Sequence, residues 1–144
     1  MTKAGSASVE FRNVSMRYGT VTAVDNVSFT IEPGQLVTLL GPSGCGKTTT
    51  LRMIAGLEIA SEGQILIGGK DVTKLSAADR DVSMVFQSYA LFPHMSVLEN
   101  AAYGPTVKGV GKEQARQMAL EKLALVGLKG FESRYPSELS GGQQ

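Results

Sequence analysis

The sequence has little net charge, a single cysteine and no long apolar run, and each of these shortages excludes a class of protein. The formal net charge is +1, which gives no electrostatic argument for binding to nucleic acid or to an anionic membrane. Cys45 is the only cysteine, so no disulfide can form within the chain. No run approaches the length that spans a bilayer, and the opening MTKAGSASVEF lacks the apolar segment of a signal peptide. We therefore expect a cytoplasmic chain that reaches a membrane only through a partner.

What is present is the composition of an ordinary globular protein. Hydrophobic residues make up 42% of the 144 residues and charged residues 19%, which argues against disorder. The length suffices for one domain with a sizeable core. There are no internal repeats and no low-complexity segments, so we expect a single domain.

Alternating apolar and polar residues predict antiparallel strands in the first part of the chain. Residues 9–32 are rich in β-branched and aromatic residues, with alternation visible at residues 27–32, and the run ends at a turn, Pro33-Gly34, as in strands that bury one face. A second hairpin is predicted where Gly68-Gly69 separates residues 64–67 from residues 70–72.

Two nearly continuous apolar runs predict a different kind of strand. LVTLL at residues 36–40 and VSMVF at residues 82–86 have the pattern of strands buried on both faces in a parallel sheet. The first run is followed by a glycine-rich loop and then by TTTLRMIAGL, which predicts a helix that stops near Gly56.

Two more helices are predicted in the last third of the chain. Ser96 and Glu99 have capping-box spacing and open a short helix. A longer helix from about Lys112 to Val126 has Gly127 as its stop. Apolar residues recur along it at helical spacing, which indicates core packing: Ala115, Met118, Ala119, Leu123 and Val126.

The glycine-rich stretch GPSGCGKT, residues 41–48, matches the phosphate-loop pattern G-x-x-x-x-G-K-[ST] at every position. It also follows a predicted buried strand and precedes a predicted helix, as that motif requires. Its glycines allow backbone angles and a close approach to phosphate that a Cβ would block. A glycine-rich turn without a ligand is the simpler alternative, and the joint match of motif and context argues against it.

The other residues of the loop have assignable chemistry. Lys47 supplies a positive charge for the terminal phosphates, and the Thr48 hydroxyl suits a Mg²⁺ ligand. Cys45 lies where a small side chain suffices, and we interpret it as filler. The motif alone indicates a nucleoside triphosphate, and it leaves open a transporter motor, a small-molecule kinase, a GTPase and a helicase.

Three further features narrow the choice. Tyr18 closes the first strand segment, Gln87 follows the VSMVF run, and LSGGQ stands at residues 139–143. Together with GPSGCGKTT, this set resembles the ATP-binding cassette (ABC) ATPases, the motor subunits of ABC transporters. The run MVFQSYALFPHMSVLEN, residues 84–100, is most similar to importer ATPases that serve sugars, polyamines and ferric ion.

The resemblance implies an α/β fold: a P-loop NTPase core with parallel strands, an N-terminal antiparallel β subdomain and a helical subdomain. The whole chain, 1–144, would be one cassette domain. Residues 1–87 would hold the β subdomain and core, and residues 88–144 the helical subdomain, with the C-terminal part of the cassette missing.

The resemblance also implies ATP and Mg²⁺ as cofactors and assigns site residues. Lys47 and Gln87 would be catalytic, together with Ser140 and Gly142 acting on the ATP of a partner subunit. Thr48 and Gln87 would serve the metal. Tyr18 would stack on adenine. The nucleotide-binding set would be Tyr18, Gly41, Pro42, Ser43, Gly44, Cys45, Gly46, Lys47, Thr48, Thr49, Gln87, Ser140, Gly141, Gly142 and Gln143.

Partners and location follow from the same resemblance. The apolar loop from Ser88 to Met95 would face the transmembrane permease subunits, although an ordinary loop packed under neighbouring helices has the same composition. Two cassettes would form a head-to-tail dimer at the inner face of the cell membrane, with no nucleic acid bound. His94 receives no catalytic role.

The sequence departs from the family pattern after LSGGQ. The family continues with an aspartate for Mg²⁺, a glutamate that polarises water and a switch histidine, and none follows in this chain. We therefore expect no ATPase activity from it alone, marginal stability or self-association, and a segment SGGQQ that is disordered or held by something other than its own helix. The alternatives are a nucleotide-binding fragment without turnover and an ABC protein that does not serve transport.

Overall fold

Four antiparallel strands and one helix form the first of two units into which the chain divides. The computed structural model describes residues 6–144; the first unit ends at Met84 and the second spans Val85–Gln144. In the first unit the strands are β1 (Val9–Tyr18), β2 (Val21–Ile31), β3 (Glu62–Ile67) and β4 (Lys70–Asp71), in the sheet order β2-β1-β3-β4. The hairpins predicted in residues 9–32 and at Gly68-Gly69 are therefore confirmed.

The core of this unit lies on one face of the sheet. Phe11 is buried and stacks on Phe29 of the neighbouring strand, with ring centroids 4.5 Å apart. Helix α1 (Lys47–Ala55) adds the fully buried Met53. The predicted helix stop is confirmed, since Gly56 has a φ of 74°, and this left-handed conformation is the one that glycine adopts most readily at a helix end.

The two predicted buried strands are not strands in the structure. Residues 36–40 and 82–86 have no regular secondary structure, and Leu36 is 97% exposed, Leu40 88% and Val85 88%. An extended segment becomes a β-strand only where its N–H and C=O groups pair with a neighbouring strand. Among the described residues no strand pairs with either run, and every strand pair is antiparallel.

The second unit is helical. Helix α2 spans Val97–Val107 and α3 spans Lys112–Leu125. The predicted capping box at Ser96 and Glu99 is confirmed, but α2 has 11 residues and contains Pro105, so it is not the short helix expected.

Only part of the predicted apolar stripe on α3 is buried. Ala115, Ala119 and Leu123 are buried, whereas Met118 is 41% exposed and Val126 69%. The buried residues are spaced four apart and so form a narrow face, from which Met118 is rotated away. Val126 lies just after the last residue of the helix, at its cap.

None of the helices within residues 6–144 has both the length and the apolar character that crossing a membrane requires.

Candidate functional site

The loop that precedes α1 depends on glycine at a point of close contact. Gly46, the N-cap of α1, has a φ of 87°. A Cβ on Gly46 would lie 2.4 Å from the carbonyl oxygen of Ala23 in β2. No other residue fits there without moving the backbone, so the loop packs directly against the β1–β2 hairpin.

The side chain of Lys47 folds back over this loop. Its Nζ donates hydrogen bonds to the carbonyl oxygens of Gly41 at 2.8 Å and Pro42 at 2.6 Å, and it lies 3.4 Å from Sγ of Cys45. Cys45 is an exposed free thiol. The loop thus holds a positive charge at its mouth, with neutral carbonyl groups as its acceptors.

The amino end of α1 is open to an anion. Gly46 provides no side-chain cap, and the first turn of α1 has no acidic residue. The N–H groups of a first helical turn lack partners within the helix, and the helix dipole makes that end positive. Thr48 and Thr49 lie in this turn, so the hydroxyl predicted for Mg²⁺ is at the same helix end as Lys47.

Tyr18 lies at the end of the hairpin against which the loop packs. It is the last residue of β1, it pairs with Val21, and its side chain is 44% exposed. Ala23, which contacts Gly46, is two residues further along β2. An exposed aromatic ring beside a phosphate loop is suited to stacking on a base.

Gln87 and the loop that follows it belong to the second unit. Within residues 88–95, Tyr89 and Ala90 both have positive φ, 61° and 53°, a conformation that is unusual for residues with a Cβ. Phe92 packs against Tyr103 of α2, with ring centroids 4.6 Å apart. The loop is therefore partly anchored on α2 by an aromatic contact.

The segment SGGQQ forms a single turn. The carbonyl of Ser140 accepts hydrogen bonds from the N–H groups of Gln143 at 2.9 Å and Gln144 at 3.0 Å. The Ser140 N–H donates to Oε1 of Gln143, and Nε2 of Gln144 donates to the carbonyl of Pro136 at 2.7 Å. The structure describes this segment as a turn and not as disordered, and the turn is held by its own backbone and by the side chains of Gln143 and Gln144.

The structure brings together one part of the predicted site. The phosphate loop, Thr48, Thr49 and Tyr18 share the first unit, while Gln87 and residues 140–143 belong to the second. Within residues 6–144 there is no group of three His, Cys, Asp or Glu side chains placed to hold a metal ion.

Two polar side chains outside the sequence motifs have many hydrogen bonds. Arg80 is 6% exposed and bonds four backbone carbonyls, and burial lowers the pKa of its guanidinium. Asn100 in α2 bonds backbone groups of Phe92, Met95 and Ser96. Asparagine is a poor helix former, which is a weak sequence signal for Asn100; Arg80, between Asp79 and Asp81, gives no such signal.

A glycine-rich loop, a lysine folded over it and an open helix end define a phosphate-loop protein. The family model described as "ABC transporter" matches residues 24–144. The chain belongs to this family.

Curated relatives match along nearly the whole chain. The chain is 64% identical over 144 residues to the Fe(3+) ions import ATP-binding protein FbpC 1 of Rhizobium meliloti, covering 100% of the chain and 41% of the relative. It is 66% identical over 137 residues to FbpC of Agrobacterium fabrum, covering 95% of the chain and 39% of the relative. The chain thus spans less than half the length of these relatives.

Two solved structures of the bacterial ABC transporter cassette MJ0796 also match. One is a dimer in a post-hydrolysis state with ADP and Pi, and its TM-score with this chain is 0.81 at 32% identity. The other is also dimeric and has a TM-score of 0.83. Each match covers 94% of this chain and 64% of the cassette chain.

Proposed function

We propose that this chain is the ATP-binding part of a subunit that couples ATP hydrolysis to solute import through an ABC transporter. The observation that carries the proposal is the position of Lys47, whose ammonium lies on the carbonyls of Gly41 and Pro42 at the open end of α1. A cation beside unpaired helix N–H groups suits a polyphosphate. The names of the relatives support ferric ion as the solute.

ATP fits the described residues. The proposed base-stacking residue is Tyr18, at the end of the hairpin against which Gly46 packs. Backbone N–H groups around the phosphates would come from Ser43, Gly44 and Cys45. Pro42 has no N–H to donate and would provide only space. When bound, ATP supplies the phosphoryl bond whose cleavage drives transport; Lys47 would neutralise charge on its terminal phosphates.

The described residues offer only part of a Mg²⁺ coordination shell. Thr48 offers a hydroxyl at the amino end of α1, and we propose Gln87 as a second, amide ligand. Magnesium usually keeps several waters and binds through few protein groups plus substrate phosphates. The absence of a clustered acidic site within residues 6–144 is compatible with that mode of binding.

Residues 140–143 are proposed to act on the ATP of a second copy of the subunit. The MJ0796 cassettes are dimeric, which supports a pairing of subunits. A Cβ on Gly141 or Gly142 would meet nothing within 4 Å, so the turn has an open face toward which a phosphate could approach. We also propose that residues 88–95 face the permease subunits, which would place the protein at the inner face of the cell membrane.

Isothermal titration with Mg-ATP tests the phosphate loop. Lys47→Ala should raise Kd at least about tenfold, because a charge-assisted contact to phosphate is lost. Lys70→Ala, a change on β4 of the same unit, should leave Kd unchanged. Equal affinity in the wild type and Lys47→Ala would refute the role of Lys47.

Phosphate release by the wild-type chain is expected at background, since no residue here is proposed as the general base; steady turnover would contradict that expectation.

A further inference from the structure

Arg80 is a buried cation without a carboxylate partner among the described residues. Its side chain is almost fully enclosed, at 6% exposure. The ion pairs found within residues 6–144 do not include it. Burial of a charge is costly unless the charge is compensated, so the groups that contact Arg80 must account for its position.

Those groups are four backbone carbonyls. Nη1 donates to Met53 at 2.5 Å and to Ile54 at 3.0 Å, both in the last turn of α1. Nη2 donates to Thr73 at 3.3 Å, and Nε donates to Leu75 at 3.0 Å. The guanidinium therefore joins the carboxyl end of α1 to the segment that follows β4.

The contacts of Arg80 satisfy two of the carbonyl groups at the carboxyl end of α1. The last four carbonyls of a helix have no partner within it. The Arg52 carbonyl accepts from the N–H of Leu57, and the Met53 carbonyl from the N–H of Gly56. Arg80 supplies the bond to Ile54 and a second bond to Met53. Its positive charge also lies at the negative end of the helix dipole.

Gly56 makes room for this arrangement. A Cβ at Gly56 would lie 2.7 Å from Nε of Arg80 and 2.9 Å from the backbone nitrogen of Ala77. Thr73, another partner of Arg80, is itself fixed to the sheet, because its hydroxyl accepts from the N–H of Ile65 at 2.8 Å. A continuous set of hydrogen bonds thus runs from β3 through Thr73 and Arg80 to α1.

Helix α1 needs such support because it has only nine residues, and isolated helices of that length are marginal in water. Its amino end carries Lys47 and the open N–H groups of the proposed phosphate site. We infer that Arg80 is a positioning residue for nucleotide binding, which holds the carboxyl end of α1 to the sheet and so keeps its amino end in the geometry that phosphate requires. This inference rests on the proposed function.

The first test separates positioning from simple stability. Arg80→Met removes the donors while keeping an unbranched side chain, and Arg80→Lys keeps a charge with up to three donors. Arg12→Met, at an exposed arginine paired with Glu10, is the control. Kd for Mg-ATP is measured at a temperature where circular dichroism shows every variant folded.

We expect Arg80→Met to raise Kd at least about fivefold, which corresponds to about 1 kcal/mol. Arg80→Lys should raise Kd less, and Arg12→Met should leave it unchanged. A lower melting temperature with an unchanged Kd in Arg80→Met would overturn the inference, because a purely structural role produces that result.

A matched pair of glycines covers the case in which Arg80→Met does not fold. Gly56 and Gly127 follow α1 and α3 and have nearly the same φ, 74° and 75°, but a Cβ on Gly127 would meet nothing within 4 Å. Both alanine variants carry the same backbone strain, but only Gly56→Ala also collides with other groups, which are Arg80 and the backbone of Ala77, so its effect is compared with that of Arg80→Met. Gly56→Ala should therefore weaken Mg-ATP binding several-fold more than Gly127→Ala; equal effects would contradict the inference.

Hydrogen exchange of the nucleotide-free chain tests the role of Arg80 independently of the proposed function. Amides of α1 should exchange at least about tenfold faster in Gly56→Ala, and in folded Arg80→Met, than in the wild type, since loss of the contacts favours local opening. Unchanged exchange would refute the role of Arg80 even if Mg-ATP binds. If the wild type does not bind Mg-ATP but exchange is faster in the variants, the nucleotide site is refuted. The support of α1 by Arg80 is then still established.

Discussion

Gly44 and Gly46 lie two residues apart in the phosphate loop and have nearly the same backbone angle, with φ of 83° and 87°. Their surroundings differ. A Cβ on Gly44 would meet nothing within 4 Å, whereas one on Gly46 would lie 2.4 Å from the carbonyl oxygen of Ala23. Both positions require a left-handed backbone, which costs a residue with a Cβ roughly 1–2 kcal/mol. Only Gly46 adds a collision with another strand.

Gly46→Ala should therefore destabilise the nucleotide-free chain more than Gly44→Ala does. We expect about 1 kcal/mol from Gly44→Ala, and at least about twice that from Gly46→Ala, because the collision adds to the strain. Urea unfolding of the two variants measures the difference. Equal loss of stability would mean that Gly46 does not pack on Ala23 in solution.

The capping box of α2 is an element whose strength depends on pH. Oε2 of Glu99 accepts hydrogen bonds from the Ser96 N–H at 2.7 Å and from the Ser96 hydroxyl at 2.8 Å. The pKa of Glu99 is lowered, chiefly by the bond from the Ser96 backbone, then by the Ser96 side chain, with a smaller contribution from His94. A carboxylate with a lowered pKa in the folded state stabilises the fold above its unfolded pKa and loses that effect as pH falls through the folded value.

Glu99→Gln should reduce the pH dependence of the free energy of unfolding in the acid range. In the wild type, the contribution of Glu99 is complete above its ordinary pKa of 4.5 and is lost below it. Glutamine can still accept a hydrogen bond but does not titrate. Urea unfolding at a series of pH values measures the slope. The same slope in Glu99→Gln as in the wild type would contradict the assignment.

Elements set by local chemistry were predictable, and those set by distant partners were not. The end of α1 at Gly56 and the start of α2 at Ser96 depend on residues within one turn. Residues 36–40 have the composition of a buried strand, but a strand also needs a paired neighbour. Arg80 stands between two aspartates in sequence, which suggests an exposed site, and its burial depends on α1, more than 20 residues away.

The same distinction applies to the candidate site. The loop, Lys47 and the open end of α1 follow from one contiguous motif. The contact of Gly46 with Ala23 and the bonds of Arg80 join segments far apart in sequence, and no local pattern reveals them. The roles proposed for Gln87 and residues 140–143 rest on the family resemblance and stay predictions.

At the scale of the whole molecule, apolar side chains of both units are exposed to solvent. Leu36 and Leu40 belong to the first unit, and Val85 to the second; the least exposed of the three is still 88% accessible. The matched cassettes are longer than this chain, which covers 64% of them. We expect the exposed apolar side chains of residues 36–40 to promote association of the chain.

Replacing Leu36 and Leu40 by lysine together should reduce self-association. Sedimentation velocity over a range of concentrations should show larger species for the wild type and fewer for the double variant, because charge opposes burial of the exposed segment. Leu125→Lys, at a leucine of α3 that is 77% exposed, is the control and should behave as the wild type. Unchanged association in the double variant would exclude residues 36–40 as the contact.

The carbonyl contacts of Lys47 also bear on how fast the proposed site exchanges its nucleotide. The lysine side chain already lies over the loop without nucleotide, so part of its rotamer entropy, worth about 2 kcal/mol in all, would be lost at folding and not at binding. The carbonyls of Gly41 and Pro42 then act as internal competitors of phosphate for the same ammonium. Phosphate binding would substitute one pair of acceptors for another, and the bonds to Gly41 and Pro42 would re-form when the nucleotide leaves.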